Sequence, residues 1–382
     1  MPVVIKDDFV RQPQQSSPRD SRQVFNFSPG PAMLPYEVMV HAQEEFLNYG
    51  GVGASIVEIS HRSKDFMSVV EEASALFREL VSLPENYSIL FVHGGARMQF
   101  AAVPMNLIAL KAPRKAAYVE TGVFSATAIK DAGPYGTIEV VASSRDDKFV
   151  RIPELHLERI PKDTSYLHIT TNNTAYGTRW SEFPVTGDLP LVGDATSEIL
   201  SRVMDYSLFG LVYASFQKNL GPAGTALVVV RKDLLGHALP GTPPLLNYAA
   251  VDKGQSLMNT PSTFNIYFAR EVMRWIRDLG GVREMERRNN QKAQLLYDFL
   301  DSSRFYKPLV EKAHRSTMNV TFDLPTPEAL EMFLKEAGRE GLYALKGYRD
   351  VGGVRASIYN GMPLEGVEAL VSFMREFERK QG

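Results

Sequence analysis

Short apolar runs alternate with apolar stripes at helical spacing through the middle of the chain. Runs rich in β-branched or aromatic residues predict strands at 88–92, 116–120, 138–142, 166–170, 189–193, 209–214 and 225–230. Ser63 is placed to cap the first long amphipathic helix. One face of that helix is formed by Phe66, Val69, Val70, Ala73, Phe77 and Leu80. Strands that alternate with helices favour an α/β fold with a largely parallel sheet.

The pattern changes near residue 280, which predicts a second and smaller α/β domain. A long helical region extends past Trp275, is interrupted at Gly280-Gly281 and resumes over 282–300. Further elements are predicted beyond it, namely strands at 318–322 and 354–359 and helices at 327–338 and 364–379. We therefore predict a large domain over 22–279, which includes the N-terminal segment, and a small domain over 280–382.

The composition excludes several classes of protein. With 382 residues, the chain can form two domains with a sizeable core. A net charge of −2 and the lack of basic runs argue against a nucleic-acid partner. There is no cysteine, and the seven histidines lack metal-ligand spacing, so neither a thiol nucleophile nor a metal is predicted. No apolar run reaches the length of a membrane-spanning helix, so no membrane partner is expected.

The first 21 residues are mostly polar and predict a disordered N-terminal arm. Asp7 and Asp8 argue against a transit peptide, and the arm lacks the apolar stretch of a secretory signal. A cytoplasmic location is therefore expected.

One lysine lies in unusually uncharged surroundings. Lys218 follows the strand predicted at 209–214, and it is the only charged residue from Ser207 to Val230. Partial desolvation lowers the pKa of such a lysine and makes it a good nucleophile for a Schiff base. A single lysine is more often a solvated surface residue. A phosphate-binding P-loop is excluded, because there the glycines precede the lysine.

Two further features suit pyridoxal 5'-phosphate as a cofactor. Asp194 follows the strand predicted at 189–193, at the sheet edge where α/β proteins bind ligands. A carboxylate there can hold a proton on the pyridine nitrogen. His93-Gly94-Gly95-Ala96-Arg97 joins a strand to a helix, a geometry that binds phosphate through backbone N–H groups. Each feature alone is commonly a helix cap or an ordinary turn, so the prediction depends on their combination.

Other residues fall at the same predicted sheet edge. Phe124 follows the strand at 116–120 and could stack on a cofactor ring, although a core phenylalanine is the commoner case. Thr171-Asn172-Asn173-Thr174 follows the strand at 166–170 and supplies polar side chains, or forms an ordinary turn.

Six segments occur in an order that is typical of one enzyme family. They are Phe25-Asn26-Phe27-Ser28-Pro29-Gly30-Pro31-Ala32, Ser60-His61-Arg62, His93-Gly94-Gly95-Ala96-Arg97-Met98-Gln99-Phe100, Gln217-Lys218-Asn219-Leu220-Gly221-Pro222-Ala223-Gly224, Asn259-Thr260-Pro261 and Arg355-Ala356-Ser357-Ile358-Tyr359-Asn360. From Phe25 onward, nearly the whole chain resembles the phosphoserine aminotransferases. The resemblance implies the fold-type I architecture of pyridoxal-phosphate transferases, with a large, mostly parallel sheet domain and a smaller C-terminal α/β domain. It also implies the reversible reaction of glutamate with 3-phosphohydroxypyruvate in serine biosynthesis, which gives 2-oxoglutarate and O-phosphoserine.

The resemblance implies a role for each matching residue. Lys218 would form the Schiff base, and Asp194 would bind the pyridine nitrogen. The same subunit would also contact the cofactor through Ala96, Arg97, Phe124, Thr174 and Gln217. The other subunit of a homodimer would contribute Asn259 and Thr260. Substrate anions would be bound by His61, Arg62, Arg349 and Arg355.

Three positions depart from the family pattern. Phe124 stands where many members have tryptophan, Tyr348 where many have histidine, and Ala96 where glycine is frequent.

Two alternatives remain open at this point. One is another aminotransferase for small substrates, such as a serine–glyoxylate type, and the other is a non-catalytic homologue that binds the cofactor. Because a scaffold has no use for an electron sink, the presence of both Lys218 and Asp194 argues against the second. Use of 4-phosphohydroxythreonine in pyridoxine synthesis also stays open.

Overall fold

The structure, a computed structural model, describes residues 24–382, and the predicted arm lies outside the described residues. The strands are β1 Phe25–Asn26, β2 Tyr87–His93, β3 Lys115–Glu120, β4 Thr137–Ser143, β5 Thr164–Thr170, β6 Asn172–Asn173, β7 Thr178–Arg179, β8 Leu191–Asp194, β9 Leu211–Ser215, β10 Thr225–Arg231, β11 Lys307–Pro308, β12 Asn319–Asp323, β13 Leu342–Tyr343 and β14 Val354–Ser357. The helices are α1 Tyr36–Glu45, α2 Lys64–Leu80, α3 Gly95–Leu107, α4 Val123–Ala132, α5 Tyr248–Lys253, α6 Thr263–Asp278, α7 Gly281–Ser302, α8 Pro327–Arg339 and α9 Leu364–Gln381. Within residues 24–382, no helix combines the length and apolar character needed to cross a membrane.

A seven-stranded sheet forms the centre of the larger part of the molecule. Its strands lie in the order β2-β10-β9-β8-β5-β3-β4. β10 runs antiparallel to β2 and β9, whereas the other neighbouring pairs are parallel. β10 reverses direction because a short loop, rather than a crossover helix, joins it to β9. The predicted α/β class and largely parallel sheet are therefore confirmed, and the carboxyl ends of the parallel strands meet at one edge.

Alternate residues of the central strands face two separate apolar cores. In β3, Ala117 and Val119 belong to the core that contains α2 and α6. Ala116 and Tyr118 belong to the core that contains α3 and α5. This follows from the strand geometry, in which successive side chains point to opposite faces of the sheet. The predicted cap of α2 is also confirmed, since the Ser63 hydroxyl accepts a hydrogen bond from a backbone N–H of the first turn.

A third apolar core belongs to the C-terminal part of the chain. It contains residues of α7, α8 and α9 and of a small sheet with the order β11-β12-β14. Gly280, with φ of +110°, lies between α6 and α7 at the predicted domain boundary, and Gly281, with φ of +81°, begins α7. The N-terminal segment also joins this core, because β1 pairs with β13 and Phe27 is buried in the cluster. The sequence did not predict that contact, and the division into domains stays a prediction.

A buried hydrogen-bond network connects the two parts of the molecule. Asn319 of β12 accepts a hydrogen bond from Asn172 Nδ2 at 2.8 Å. Its own amide donates to Ser357 Oγ at 3.0 Å and to the Tyr359 hydroxyl at 3.1 Å. Tyr359 in turn donates to the Pro29 carbonyl at 2.9 Å. Since these side chains are almost completely buried, the network fixes β14 relative to the large sheet.

We predict that Asn319→Ala lowers the free energy of unfolding by roughly 1–3 kcal/mol, because it leaves buried partners without hydrogen bonds. Urea denaturation of the wild type and the variant measures the difference. Asn290→Ala, at an exposed position on α7, is the control and should stay within about 0.5 kcal/mol of the wild type. Equal stability of the two variants would show that the network contributes little.

Candidate active site

A cavity of about 290 Å³ lies where the carboxyl ends of the central strands face β14 of the small sheet. Its walls contain eight of the residues singled out from the sequence, namely Ala96, Arg97, Phe124, Thr174, Asp194, Gln217, Lys218 and Arg355. A larger cavity of about 520 Å³ lies elsewhere and contains none of them. In that cavity Arg202 is already engaged by Glu198 and by backbone carbonyls. The smaller cavity is therefore the better candidate for chemistry.

Lys218 projects into this cavity from the loop between β9 and β10. The loop turns back tightly, since the N–H groups of Leu220 and Gly221 both donate to the Phe216 carbonyl. The side chain of Lys218 is only 7% exposed, and its Nζ donates to Thr174 Oγ1 at 2.5 Å. Burial lowers the pKa of Lys218 to about 7; the charge of Asp194 opposes this shift.

Asp194 is the last residue of β8, and its carboxylate is 5% exposed. One carboxylate oxygen accepts a hydrogen bond from the Thr196 N–H at 3.0 Å. Burial raises the pKa of Asp194, while hydrogen bonds from Thr196, the charge of Lys218 and a side-chain hydrogen bond from Tyr213 lower it. The cavity thus holds an amine and a carboxylate that are both shielded from water.

The N-terminus of α3 forms another wall of the cavity. The helix starts at Gly95, after Gly94 in the left-handed region with φ of +85°, and the N-cap residue Gly94 has no side chain to cap it. A Cβ at Gly95 would lie 2.8 Å from Ser215 Oγ, so a side chain there would force Ser215 to shift. The backbone N–H groups of Ala96 and Arg97 belong to this first turn, so the helix end can bind an anion.

The two arginines of the cavity differ in their surroundings. The Arg97 side chain is 67% exposed and pairs with Asp131 at 2.9 Å. Arg355 is 6% exposed and donates to the Thr174 carbonyl at 3.4 Å, and its buried Nε has no hydrogen-bond partner among residues 24–382. Its guanidinium carbon lies 5.9 Å from the centre of the Tyr348 ring. A buried guanidinium with an unused donor is suited to bind a carboxylate.

The five other predicted site residues lie outside the walls of this cavity, and they are His61, Arg62, Asn259, Thr260 and Arg349. Arg62 and Thr260 are exposed. Asn259 Nδ2 lies 3.0 Å from His93 Nε2. The Arg349 side chain is 89% exposed and pairs with Asp350 at 3.2 Å. Their roles stay predictions, because a single chain does not bring these residues to the cavity.

The structure adds residues that the sequence did not single out for the site. Gly30 lies against Lys218 and Gln217, and its neighbour Ala32 donates its N–H to the Gln217 carbonyl at 2.8 Å. Thr170 lines the cavity beside Asp194, its partner across the β5–β8 pair. Counting alternate positions along the predicted strands could have found Thr170, whereas no local signal places Gly30 next to Lys218.

Outside the cavity, His41, Glu45 and Glu271 form a group that resembles a set of metal ligands. His41 Nε2 lies 3.4 Å from Glu45 and 3.5 Å from Glu271. Arg270 and Arg274 already pair with Glu271, so its negative charge is largely compensated. This arrangement does not favour a cation.

Known proteins resemble this chain over most of its length. The family described as aminotransferase class-V matches residues 24–370. A phosphoserine aminotransferase of Bacillus cereus is 47% identical over 356 residues, which are 93% of this chain and 98% of the relative. The solved structure of the phosphoserine aminotransferase from Bacillus circulans subsp. alkalophilus is 44% identical, with a TM-score of 0.92 over 95% of this chain and 100% of that one.

A third relative bears on the cofactor. The phosphoserine aminotransferase of Trichomonas vaginalis, solved as a PLP-bound structure, is 34% identical, with a TM-score of 0.86 over 92% of this chain and 100% of that one. These likenesses confirm the fold-type I architecture expected from the sequence. Together with the burial of Lys218 and Asp194, these likenesses show that the chain belongs to the phosphoserine aminotransferase family within the class-V aminotransferases.

Proposed function

We propose that this chain is a phosphoserine aminotransferase that uses pyridoxal 5'-phosphate. It transfers the amino group of glutamate to 3-phosphohydroxypyruvate and gives O-phosphoserine and 2-oxoglutarate, a step of serine biosynthesis in the cytoplasm. The observation that carries the proposal is the burial of Lys218 and Asp194 in one cavity. Similarity to curated phosphoserine aminotransferases over more than nine-tenths of the chain supports the same function.

The residues of the cavity fit the cofactor. Lys218 offers a buried amine to its aldehyde, and Asp194 offers a carboxylate to its ring nitrogen. The uncapped N-terminus of α3 suits its phosphate. The ring of Phe124 lies 5.7 Å from Lys218 Nζ and offers an aromatic face. When bound, pyridoxal phosphate supplies the electron-accepting ring that amino-group transfer requires.

The protein side chains move protons and hold the cofactor and the substrate in place. The lowered pKa of Lys218 leaves a substantial fraction of its amine unprotonated near neutral pH, so the amine can accept and return a proton. Asp194 keeps a proton on the ring nitrogen through its negative charge. Thr174 holds Lys218 Nζ in place, and Arg355 orients the substrate by its α-carboxylate. Gln217 and the first turn of α3 hold the phosphate end of the cofactor.

A homodimer would complete the site. Exposed apolar side chains that a monomer would leave in water include Phe46, Leu47, Val52, Met98 and Met258. Met258 is next to Asn259, whose Nδ2 lies 3.0 Å from His93 Nε2, and Phe46 packs against Phe264 with ring centres 5.9 Å apart. We propose that this surface pairs two chains. Asn259 and Thr260 of one subunit then reach the cofactor phosphate of the other, and Arg62 reaches its substrate.

For the proposed function, the first prediction concerns the pKa of Lys218. The folded pKa is about 7 and the unfolded value is ordinary, so the unfolded chain binds more protons between these values and stability rises with pH there. From pH 7 to pH 9, the cofactor-free wild type should gain about 1–3 kcal/mol relative to Lys218→Met in urea denaturation. The exposed Lys335→Met is the control and should gain as much as the wild type. Parallel pH profiles of the wild type and Lys218→Met would contradict the shift.

The second prediction concerns substrate choice. A phosphorylated substrate carries two anionic groups, and two hydrogen-bonded charge contacts of roughly 1.5–3 kcal/mol each give a preference of about 10²–10⁴ in kcat/KM. We expect phosphoserine to be preferred to serine by this factor as amino donor in the reverse direction. Arg62→Ala and Arg349→Ala should reduce the preference, whereas Arg355→Ala should lower kcat/KM for both donors.

Arg379→Ala, on α9 and outside the cavity, is the control for this experiment. It should leave kcat/KM for both serine and phosphoserine unchanged. Equal kcat/KM for serine and phosphoserine in the wild type would favour a general aminotransferase, and assays with 4-phosphohydroxythreonine extend the same comparison.

The third prediction tests the shared site with mixed dimers. Lys218→Ala and the double variant Asn259→Ala/Thr260→Ala, each poorly active alone, are mixed, unfolded and refolded together. If Asn259 and Thr260 act across the interface, each mixed dimer has one intact site, and about a quarter of wild-type activity returns. The control mixes Lys218→Ala with Asp194→Asn. Both residues lie in the cavity of one chain, so no activity should return. Failure of both mixtures would place Asn259 and Thr260 in the site of their own subunit.

A further inference from the structure

Three consecutive carbonyl groups in the segment that follows β8 each accept a hydrogen bond from an asparagine side chain. Each Nδ2 lies 2.9 Å from its carbonyl oxygen, and the pairs are Asn219 with Ile199, Asn360 with Leu200 and Asn289 with Ser201. These three asparagines, which we call the asparagine ladder, are each at most 5% exposed. Since buried amide groups need partners, the ladder joins three separate parts of the chain to the segment that begins at Asp194.

The members of the ladder are also bonded to one another. Asn219 Oδ1 accepts the backbone N–H of Asn360 at 3.1 Å, and Asn360 Oδ1 accepts a hydrogen bond from Asn289 Nδ2 at 2.8 Å. Lys292, one turn beyond Asn289 on α7, holds the segment around Asn360 as well. Its Nζ donates at 2.7–3.0 Å to three carbonyls, those of Ile358, Tyr359 and Met362. Hydrogen bonds therefore connect α7 with the loop of Lys218.

The accepting segment has an unusual backbone at its middle residue. Leu200 has a φ of +55°, in the left-handed region that residues with a side chain rarely adopt. Such a conformation persists only where surrounding contacts hold it. The ladder bonds act on the carbonyl of Leu200 and on the carbonyls on either side of it, so they are contacts of this kind.

Each of the three segments that meet at Asn219 also carries a residue of the cavity. The separation along the chain is one position in the first pair and five in the others, and the pairs are Lys218 with Asn219, Arg355 with Asn360 and Asp194 with Ile199. The relative positions of these cavity residues therefore depend on how firmly the segments are joined. A displacement of about 1 Å at a reacting group can cost a factor of about 10² in rate.

We propose that Asn219 is a positioning residue that fixes Lys218 relative to the segments carrying Asp194 and Arg355. Its single carboxamide binds both segments, one through Nδ2 and the other through Oδ1. This inference rests on the proposed role of Lys218. It goes beyond that role because it assigns work to a side chain that does not line the cavity.

A purely structural explanation would treat Asn219 as one more buried amide. Asn106, on α3, shows the same chemistry away from the cavity. It is 3% exposed, its Nδ2 donates to the carbonyls of Ala102 and Leu246 at 2.8 and 2.7 Å, and its Oδ1 accepts the N–H of Tyr248 at 2.9 Å. Asn106→Leu is therefore a matched control for Asn219→Leu, since both remove an amide that binds backbone groups of two segments.

The first measurement is the reactivity of the Lys218 amine in the full-length, cofactor-free protein. Trace acetylation with acetic anhydride, followed by mass spectrometry of the peptide that contains Lys218, gives this reactivity as a function of pH. Because burial lowers the pKa of Lys218, loss of its fixed position should expose the amine and move its titration to higher pH. We expect this change in Asn219→Leu and a wild-type profile in Asn106→Leu. Equal profiles in the wild type and Asn219→Leu would overturn the proposal.

The second measurement compares the holoenzymes in single-turnover reactions with glutamate. Asn219→Leu should lower the maximal rate by about 10- to 100-fold, because the amine is displaced from its working position. The glutamate concentration for half-maximal rate should change by less than about threefold, since Arg355 stays in its own strand. Asn106→Leu should stay within about twofold of the wild type in both quantities. An equal loss of rate in the two variants would assign the effect to general destabilisation and overturn the proposal.

Asn219→Ser provides a second arm in case Asn219→Leu does not fold. The shorter side chain still carries a polar group but cannot reach both partners of the carboxamide. It should move the titration of Lys218 and the maximal rate in the same directions by smaller amounts. A folded Asn219→Ser with wild-type values of both would also overturn the proposal.

Lys218→Ala separates the role of the lysine from that of its neighbour. If Lys218→Ala keeps near-normal turnover, the proposed role of Lys218 fails. If Lys218→Ala loses turnover but Asn219→Leu behaves like Asn106→Leu, only the role of Asn219 is overturned.

Discussion

The burial of a lysine and an aspartate in one small cavity is the constraint on which the rest of this structure depends. Either charge alone would be costly in such a place, and each pKa is displaced in the direction that favours the neutral form. Their mutual attraction opposes both displacements. The surrounding protein has to supply hydrogen bonds to both groups while keeping water out. Thr174 does this for Lys218, and Thr196 does it for Asp194.

The parallel sheet makes that arrangement attainable. Each functional group stands at the end of a different strand, so its backbone is held by the sheet while its side chain projects from the edge. The antiparallel β10 then lets Lys218 return on a short loop instead of through a crossover helix. Arg355 closes the site from the small sheet, where Asn319 and Tyr359 hold β14 at a fixed distance from the larger one. The groups that line the cavity are therefore held by secondary structure from both sheets.

Much of the fold could be predicted from the sequence, because buried strands appear as continuous apolar runs and α2 has a clear amphipathic stripe. α1 ends at Glu45, and Leu47 just beyond it is 80% exposed. Lys218 was recognisable by its charge in uncharged surroundings, and Asp194 by its place at the end of a predicted strand. The pairing of β1 with β13 was not recognisable, because two-residue strands more than 300 positions apart leave no periodic signal in the sequence. The sequence could not place Arg349 relative to the cavity, because its position depends on a turn and on the charge of Asp350 outside the cavity.

The pairing of β1 with β13 has a consequence for how the molecule is made. Ribosomes deliver the chain from its N-terminus, and Phe25 cannot find Leu342 until almost all of the protein has emerged. The Pro29 carbonyl likewise cannot accept its hydrogen bond from Tyr359 until that residue has emerged. Contacts of such sequence separation are slow to form. The large sheet can therefore assemble first, with the segment that later closes over Lys218 still undocked. A nascent chain that stops before β14 would carry the lysine and the aspartate but no finished cavity around them.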